Sequence, residues 1–222
     1  MYDFKREYIN EVLNLLERMN VLNESILTMP YRFCERIMHV AYLNLLWILF
    51  SLLALGIFGI FPATATVFAL IRQEKVNGIT PTFTLFFTYF KRCFWKVNLM
   101  GWILAIVGYV IYVDFKLITY VEGNMKMFFY FSLLVVAIIC LFVSFYVFPV
   151  YVHYNIKIKK AYFISLMLIF TYPIQSIFIG VVSLLHLYII ANFPGLIPFF
   201  GLSVWAFCVS HISHSAFSKV GV

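Results

Sequence analysis

The stretch that decides the fold class spans residues 161–218 and reads AYFISLMLIF TYPIQSIFIG VVSLLHLYII ANFPGLIPFF GLSVWAFCVS HISHSAFS. None of its 58 residues is Asp, Glu, Lys or Arg. One bilayer crossing takes about 20 residues of helix, so the run is long enough for two crossings and too long for one core helix of a soluble protein. It predicts an integral membrane protein.

The composition of the whole chain points the same way. Hydrophobic residues make up 64% of its 222 residues and charged residues 11%, against about 25% charged in a typical soluble domain. The sequence therefore predicts an all-α fold, a polytopic membrane helix bundle of about five transmembrane helices with interfacial amphipathic helices. No cofactor is expected, and the bilayer is the first partner.

Apolar runs and helix breakers place the individual spans. Five spans are predicted, at 38–60, 97–112, 128–151, 175–191 and 196–213. A sharp break is expected at Pro62, because proline removes a backbone donor and clashes with the preceding turn. A second break is expected at Pro173, which would separate a short helix ending at Tyr172 from the fourth span.

Two segments have amphipathic patterns. Residues 3–28 carry apolar side chains at helical spacing and precede Pro30, which predicts an N-terminal extension over 1–29 ahead of a single transmembrane domain over 30–222. Met29 is an alternative start, so the extension stays an open question. Between Pro81 and Lys96, phenylalanines fill one face and bases the other, which predicts a separate helix lying in the membrane interface.

The chain contains an apparent internal duplication. Span one ends FGIFP at Pro62 and span three ends FYVFP at Pro149, and a basic segment, an aromatic helix and another span follow each proline. We therefore predict that Pro62 and Pro149 are structural hinges at equivalent places in two repeats.

The basic residues indicate an orientation. The segments after Pro62 and Pro149 hold five and three Lys or Arg, and the loop between spans two and three holds two. The positive-inside rule places both basic segments and the C-terminus in the cytoplasm, with the N-terminus outside. If Ala41–Ile71 is instead a re-entrant hairpin, the N-terminus lies inside. We favour five spans, because ten residues after Pro62 are too few to recross.

A few polar groups lie within or at the ends of the spans. They either line a substrate path or form hydrogen bonds between helices, and the second role is expected for any single residue. The candidates are Asn44, Asn98, Gln175 and His186. In span two, Gly101, Ala105 and Gly108 form a small-residue stripe, which predicts a helix-packing face.

Catalytic and metal-binding patterns are missing from the sequence. Six of the nine acidic residues fall in the first 40 residues, which leaves Glu74, Asp114 and Glu122 for acid–base work. His211 and His214 share a helix face without a nearby acidic partner, and the four cysteines are far apart from one another. We expect a non-enzymatic protein with no catalytic, cofactor-binding or metal-binding residues. Basic residues near anionic lipid explain the charge without nucleic acid.

Several motifs carry a family resemblance. They are YRFCERIM at 31–38, YLNLLW at 42–47, GIFPAT at 59–64 with Arg72, and YFKRCF at 89–94 with Asn98 and Gly101. With these motifs the chain resembles the YesL-like family of small bacterial membrane proteins, whose family label is a domain of unknown function. The resemblance covers residues 31–218 and is specific in the first third. Ile79 stands where the family often has an acidic residue.

The resemblance implies a link to carbohydrate use in Gram-positive bacteria and a place in the cell membrane. We expect a non-enzymatic accessory or regulatory protein of carbohydrate uptake or utilisation, with a carbohydrate transporter or another membrane protein as partner. The alternative is a small permease for a sugar or oligosaccharide. A structural or lipid-interacting protein is the third reading.

Overall fold

The computed structural model describes residues 34–120 and 122–217. The predicted extension over 1–29 lies outside the described residues. The chain divides into two units, Met1–His39 and Val40–Val222, and the packing described below belongs to the second. All regular structure in the described ranges is helical, which confirms the all-α fold class.

Eight α-helices follow one another along the described chain. They are α1 (Cys34–Leu53), α2 (Ile57–Asn77), α3 (Phe83–Leu117), α4 (Asn124–Tyr154), α5 (Ile158–Thr171), α6 (Pro173–Asn192), α7 (Ile197–Phe200) and α8 (Ser203–Phe217). Two short 3-10 turns, Ile118–Tyr120 and Pro194–Leu196, follow α3 and precede α7.

Four of these helical stretches are long and apolar enough to cross a membrane. They are Cys34–Leu53, Phe83–Tyr120, Met125–Tyr154 and Pro173–Asn192. A fifth crossing exists if Pro194–Phe200 and Ser203–Ser213, bent by 61° relative to each other, count as one broken span. The predicted bundle of about five spans is confirmed by length and composition, and the predicted fifth span over 196–213 corresponds to this bent pair of helices.

The first helix break lies earlier than the sequence suggested. The chain turns between α1 and α2 at Leu55 and Gly56, which have positive φ angles of 60° and 69°, a left-handed backbone that cannot continue an α-helix. Pro62 is the sixth residue of α2, which continues through it. The predicted break at Pro62 is therefore wrong. A proline so near a helix start removes only one of the first intrahelical hydrogen bonds, which a helix can lose without ending.

Helix α3 joins two elements that the sequence suggested were separate. It runs without a break for 35 residues, about 50 Å at 1.5 Å per residue, because no Gly or Pro interrupts residues 83–100. The predicted separate interfacial helix at Pro81–Lys96 is therefore wrong. Its apolar face packs on protein: Phe86 and Phe90 are buried, with ring centroids 4.8 and 5.2 Å from that of Phe50 on α1.

Helix α2 forms the centre of the core. Eleven of its residues are buried, and it packs against α3, α4 and α8. Two aromatic rings, Phe68 of α2 and Phe145 of α4, meet Trp205 of α8 edge-on. On the other side of the bundle the Tyr162 hydroxyl of α5 donates to the Met100 carbonyl of α3 at 2.6 Å. Burial raises the pKa of Tyr162 to about 12, which keeps this donor protonated.

The two Phe-Pro pairs lie side by side but occupy different positions in their helices. Pro62 lies near the start of α2, and Pro149 is residue 26 of the 31 in α4. The rings of Phe61 and Phe148 stack with centroids 6.3 Å apart. The duplication and the hinge roles of Pro62 and Pro149 stay predictions.

Candidate functional site

A polar cavity of about 400 Å³ lies where the second half of α2, the first half of α3 and the end of α4 meet. Its lining residues come from these three elements and are Ala65, Thr66, Ala69, Arg72, Gln73, Tyr89, Arg92, Cys93, Lys96, Tyr151, Val152 and Asn155. Bases of the segment after Pro62, on α2 and α3, therefore face the end of α4 at this cavity.

Local helix periodicity builds the cavity wall. On α3 the lining residues Tyr89, Arg92, Cys93 and Lys96 follow the spacing i, i+3, i+4, i+7, which puts them on one helix face. On α2 the small side chains of Ala65, Thr66 and Ala69 line the cavity and leave space for it. Asn155, in a left-handed conformation with φ 47°, ends α4 at the cavity.

The cavity is strongly positive. Arg72, Arg92 and Lys96 line it, and none of its twelve lining residues is Asp or Glu. Arg72 is half-buried, and one terminal nitrogen of its guanidinium donates a long hydrogen bond, 3.4 Å, to the Val152 carbonyl. Its Nε is buried and has no hydrogen-bond partner within the described residues. The cavity thus carries the positive charge of three side chains.

Neutral hydrogen-bonding groups surround the bases. The Gln73 amide donates to the Tyr89 hydroxyl at 2.7 Å and accepts from the Asn77 amide at 2.6 Å, so three side chains hold each other in place. Deeper in, the Thr66 hydroxyl donates to the Pro62 carbonyl at 2.7 Å and lies 3.8 Å from the Cys93 sulfur. A search of the described residues finds no group of three or more His, Cys, Asp or Glu placed to hold a metal ion.

Asn44, a candidate polar residue of span one, does not line this cavity. Its amide nitrogen donates to the carbonyls of Ile197 and Pro198, both at 2.8 Å. Its amide oxygen accepts from the backbone N–H groups of Leu202 and Ser203, at 2.8 and 3.3 Å. Asn44 thus bridges the break between α7 and α8.

His186 also contacts the backbone at the break between α7 and α8. Its Nε2 lies 2.6 Å from the Gly201 carbonyl. Since a carbonyl only accepts, this ring nitrogen carries the proton. The other two candidates behave differently: Asn98 is buried on α3 with no hydrogen-bond partner for its amide among the described residues, and Gln175 is half-buried in the first turn of α6. The four candidates therefore do not form one path.

The small-residue stripe of α3 divides into two parts. The Phe61 ring of α2 occupies the space that a Cβ atom on Gly101 would fill, so Gly101 allows close packing of the two helices. Ala105 and Gly108 are exposed, and no atom lies within 4 Å of a Cβ built on Gly108. Only the Gly101 end of the stripe packs against another described helix.

The sequence shows the basic residues of the cavity as part of a basic segment, but it does not show that they line a cavity. Arg72, Arg92 and Lys96 were assigned to a cytoplasmic basic stretch, and the roles of Gln73, Tyr89, Tyr151 and Asn155 were missed. One signal was present: Tyr89, Arg92 and Lys96 share a face with Cys93 and not with the buried phenylalanines. The contribution of α4 could not be read, because it depends on contacts between residues about 80 positions apart, such as Arg72 with Val152.

Comparisons with known proteins place the chain in a family. A family described as "Protein of unknown function, DUF624" matches residues 40–115. The chain is 36% identical over 190 residues to the uncharacterized protein YteU of Bacillus subtilis (strain 168), 85% of each chain. It is 31% identical over 189 residues to the uncharacterized protein YesL of the same organism, 85% of this chain and 89% of the relative.

A third relative, the uncharacterized protein YesV of the same organism, is 28% identical over 190 residues, 85% of this chain and 91% of the relative. No solved structure matches the chain. The two relatives above 30% identity are matched over most of their length, as the motifs at 31–38, 59–64 and 89–94 led us to expect. The chain therefore belongs to the YesL-like family of proteins of unknown function.

Proposed function

We propose that this protein is a non-enzymatic accessory membrane protein that serves carbohydrate uptake or its regulation. The carbohydrate part rests on the resemblance seen in the sequence. The accessory part rests on one structural observation: two of the four polar side chains that are candidates for a substrate path, Asn44 and His186, form hydrogen bonds with the protein itself.

Those bonds connect helices within the bundle. Asn44 and His186 bind the backbone at the α7–α8 break. The Trp205 indole donates to the Ser183 hydroxyl at 2.8 Å, and the hydroxyls of Tyr146 and Ser176 lie 3.1 Å apart. Lipid offers no alternative partners, so such groups hold the helices together. A permease needs polar groups that exchange their bonds with a moving substrate, and this arrangement favours the accessory role.

Reconstitution tests the accessory role directly. We expect the purified protein in liposomes to show no saturable uptake of sugars or oligosaccharides. We expect flux to stay at the level of empty liposomes when Asn98 or Gln175 is changed to Ala. Saturable transport by the isolated protein would contradict the proposal and support the small permease instead.

A gene deletion tests the carbohydrate role. We expect cells without the protein to take up at least one oligosaccharide more slowly, and the wild-type gene to restore the rate. We also expect the protein to crosslink to a carbohydrate transporter in intact membranes. Unchanged uptake of every sugar that the organism uses would contradict the carbohydrate role.

A further inference from the structure

We propose that the basic cavity between α2, α3 and α4 binds a phosphate ester, supplied either as a small soluble phosphate ester or as the head group of an anionic phospholipid. This inference goes beyond the accessory role and does not depend on it, because the site is argued from its own charge and geometry.

The size of the cavity fits a small polar molecule. Its volume is about 400 Å³, within the range of roughly 300–1,000 Å³ that is usual for small-molecule sites. Walls from three helices enclose it, so a ligand would be held from several directions. There is room for a phosphoryl group and for a small polar body attached to it.

The charge of the cavity favours phosphate over carboxylate. Three cationic side chains face the space and no carboxylate lines it. A phosphate monoester carries about 1.5 to 2 negative charges near neutral pH and presents three acceptor oxygens. A carboxylate, like the phosphodiester of a phosphatidylglycerol head group, carries one charge on two free oxygens, so the charge argument favours the monoester. Two guanidinium forks and one ammonium group supply more donors than a carboxylate can accept, and they match a phosphoryl group.

Arg72 is placed to contribute to anion binding. Its side chain lines the cavity, and the hydrogen bond from one terminal nitrogen of its guanidinium to the Val152 carbonyl is long, at 3.4 Å. A half-buried charged donor gains stability from a further acceptor. A phosphate oxygen in the cavity would be such an acceptor for the terminal nitrogens, and the nearby bases would bind the rest of the group.

The neutral lining would bind the remainder of the ligand. Tyr89, Tyr151 and Asn155 line the cavity beside the bases. Gln73 holds the Tyr89 hydroxyl at 2.7 Å, so this donor and acceptor pair is already oriented. Hydroxyl and amide groups of this kind recognise a hydroxylated body, such as the glycerol of a glycerol phosphate or of a phosphatidylglycerol head group.

The cavity is lined by bases of the segment after Pro62, which the positive-inside rule assigns to the cytoplasm. Soluble phosphate esters of the cytosol and phosphates of the inner leaflet would both reach it. The experiment must therefore separate the two sources.

The test uses the full-length protein in nanodiscs of phosphatidylcholine. Glycerol phosphate and inorganic phosphate would be titrated, with glycerol and glycerate as matched probes that lack the phosphate or replace it by a carboxylate. Binding would be followed by calorimetry and by the shift in Tm, which rises when a ligand binds the folded state. A parallel set of nanodiscs would contain phosphatidylglycerol, and the Tm without soluble ligand would be compared.

Three variants separate the site from general surface charge. Arg92→Gln and Lys96→Gln remove exposed bases that line the cavity, and Lys91→Gln removes an exposed base on the same helix that does not line it. We expect each cavity variant to weaken binding by about tenfold, as loss of one charge-assisted hydrogen bond does, and Lys91→Gln to leave it unchanged. Because all three side chains are exposed, the variants should keep the Tm of the ligand-free protein.

Each outcome either supports the proposed phosphate site or contradicts it. Saturable binding of glycerol phosphate in phosphatidylcholine, weakened in the cavity variants, supports a soluble ligand. A Tm rise with phosphatidylglycerol alone, lost in Arg92→Gln and kept in Lys91→Gln, supports a lipid head group. Binding of neither phosphate source, equal losses in Lys91→Gln and Arg92→Gln, or equal affinity for glycerate and glycerol phosphate would overturn the proposal.

Discussion

At the scale of single residues, Asn44 shows how one side chain can maintain a broken helix. At the α7–α8 break Asn44 binds two backbone carbonyls and two backbone N–H groups, and one of these carbonyls, that of Ile197, also accepts from the Gly201 N–H. An amide suits this role because it carries both donors and an acceptor. The sequence marks Asn44 as a polar group in an apolar segment, but its partners lie more than 150 residues away along the chain, where no local pattern reveals them.

Replacement of Asn44 should destabilise the fold. Asn44→Leu removes hydrogen bonds from four backbone groups, of which the Ile197 carbonyl keeps its bond from the Gly201 N–H. Each buried unsatisfied group costs about 1–3 kcal/mol, so we expect a loss of at least about 2 kcal/mol after relaxation. Asn192→Leu is the matched control, because that exposed amide donates only to the Tyr188 carbonyl of its own helix, at 2.8 Å. Unfolding in detergent would measure both. Equal stability of the two variants would argue against the clamp.

At the scale of elements, the errors in helix boundaries share one cause. The three bases between Lys91 and Lys96 suggested that an apolar face and a basic face must lie flat in the interface. The actual helix α3 is long enough to hold both a span and a basic extension, and its apolar face packs on Phe50. Amphipathic pattern alone does not show whether the apolar face meets lipid or protein.

The positions of the helix breaks also depend on packing. Pro173 starts α6 as the sequence indicated, because a proline at the first helical position loses no hydrogen bond. Pro62 lies six residues into α2, where α2 continues through it, and the turn falls instead at Leu55 and Gly56. Which of several Gly and Pro residues ends a helix depends on packing, and here the close approach of Gly59 to the Ser51 backbone fixes the turn.

The contact between α2 and α3 gives a prediction at the element scale. Any side chain on Gly101 would collide with the Phe61 ring, so Gly101→Leu should destabilise the protein by about 1–3 kcal/mol through overpacking. Gly108→Leu is the control, because the space around Gly108 is open and the larger residue favours helix. Thermal unfolding and the oligomeric state would be measured for both.

The two readouts separate the possible roles of the stripe. If Gly101→Leu unfolds at the wild-type temperature, the close α2–α3 packing is not important for stability. If Gly108→Leu keeps its Tm but loses self-association, the exposed end of the stripe is an intermolecular packing face.

At the scale of the whole molecule, the hydropathy pattern is the main information about the fold that the sequence contains. Charge-free runs such as 161–218 locate helices because a bilayer accepts no unsatisfied backbone and few charges. The cavity could not be located in this way, since Arg72, Arg92 and Asn155 come together only through the packing of α2, α3 and α4. Charge patterns show which segments share a membrane side, and tertiary packing decides whether they form a site.

The final prediction concerns topology. Arg72 of α2 contacts Val152 of α4, so the ends of these helices share one end of the bundle. A second, smaller cavity, lined by Lys75, His153 and Ser210 among others, brings α8 to the same end. Reporter fusions after Val76, Lys159 and Val222 should therefore all report the same side, and a fusion after Glu122 in the α3–α4 connection should report the opposite side. The positive-inside rule makes the shared side cytoplasmic.

A fusion at Pro30 completes the experiment, because it reports the side of the N-terminus. A periplasm-type signal there supports five spans with the N-terminus outside. A cytoplasmic signal supports the re-entrant alternative for Ala41–Ile71, in which the turn at Leu55 and Gly56 returns the chain to its starting side. Opposite signals after Val76 and Lys159 would contradict the packing of α2 against α4. That result would also remove the basis for a shared basic cavity, since Arg72 and Asn155 must then lie at different membrane faces.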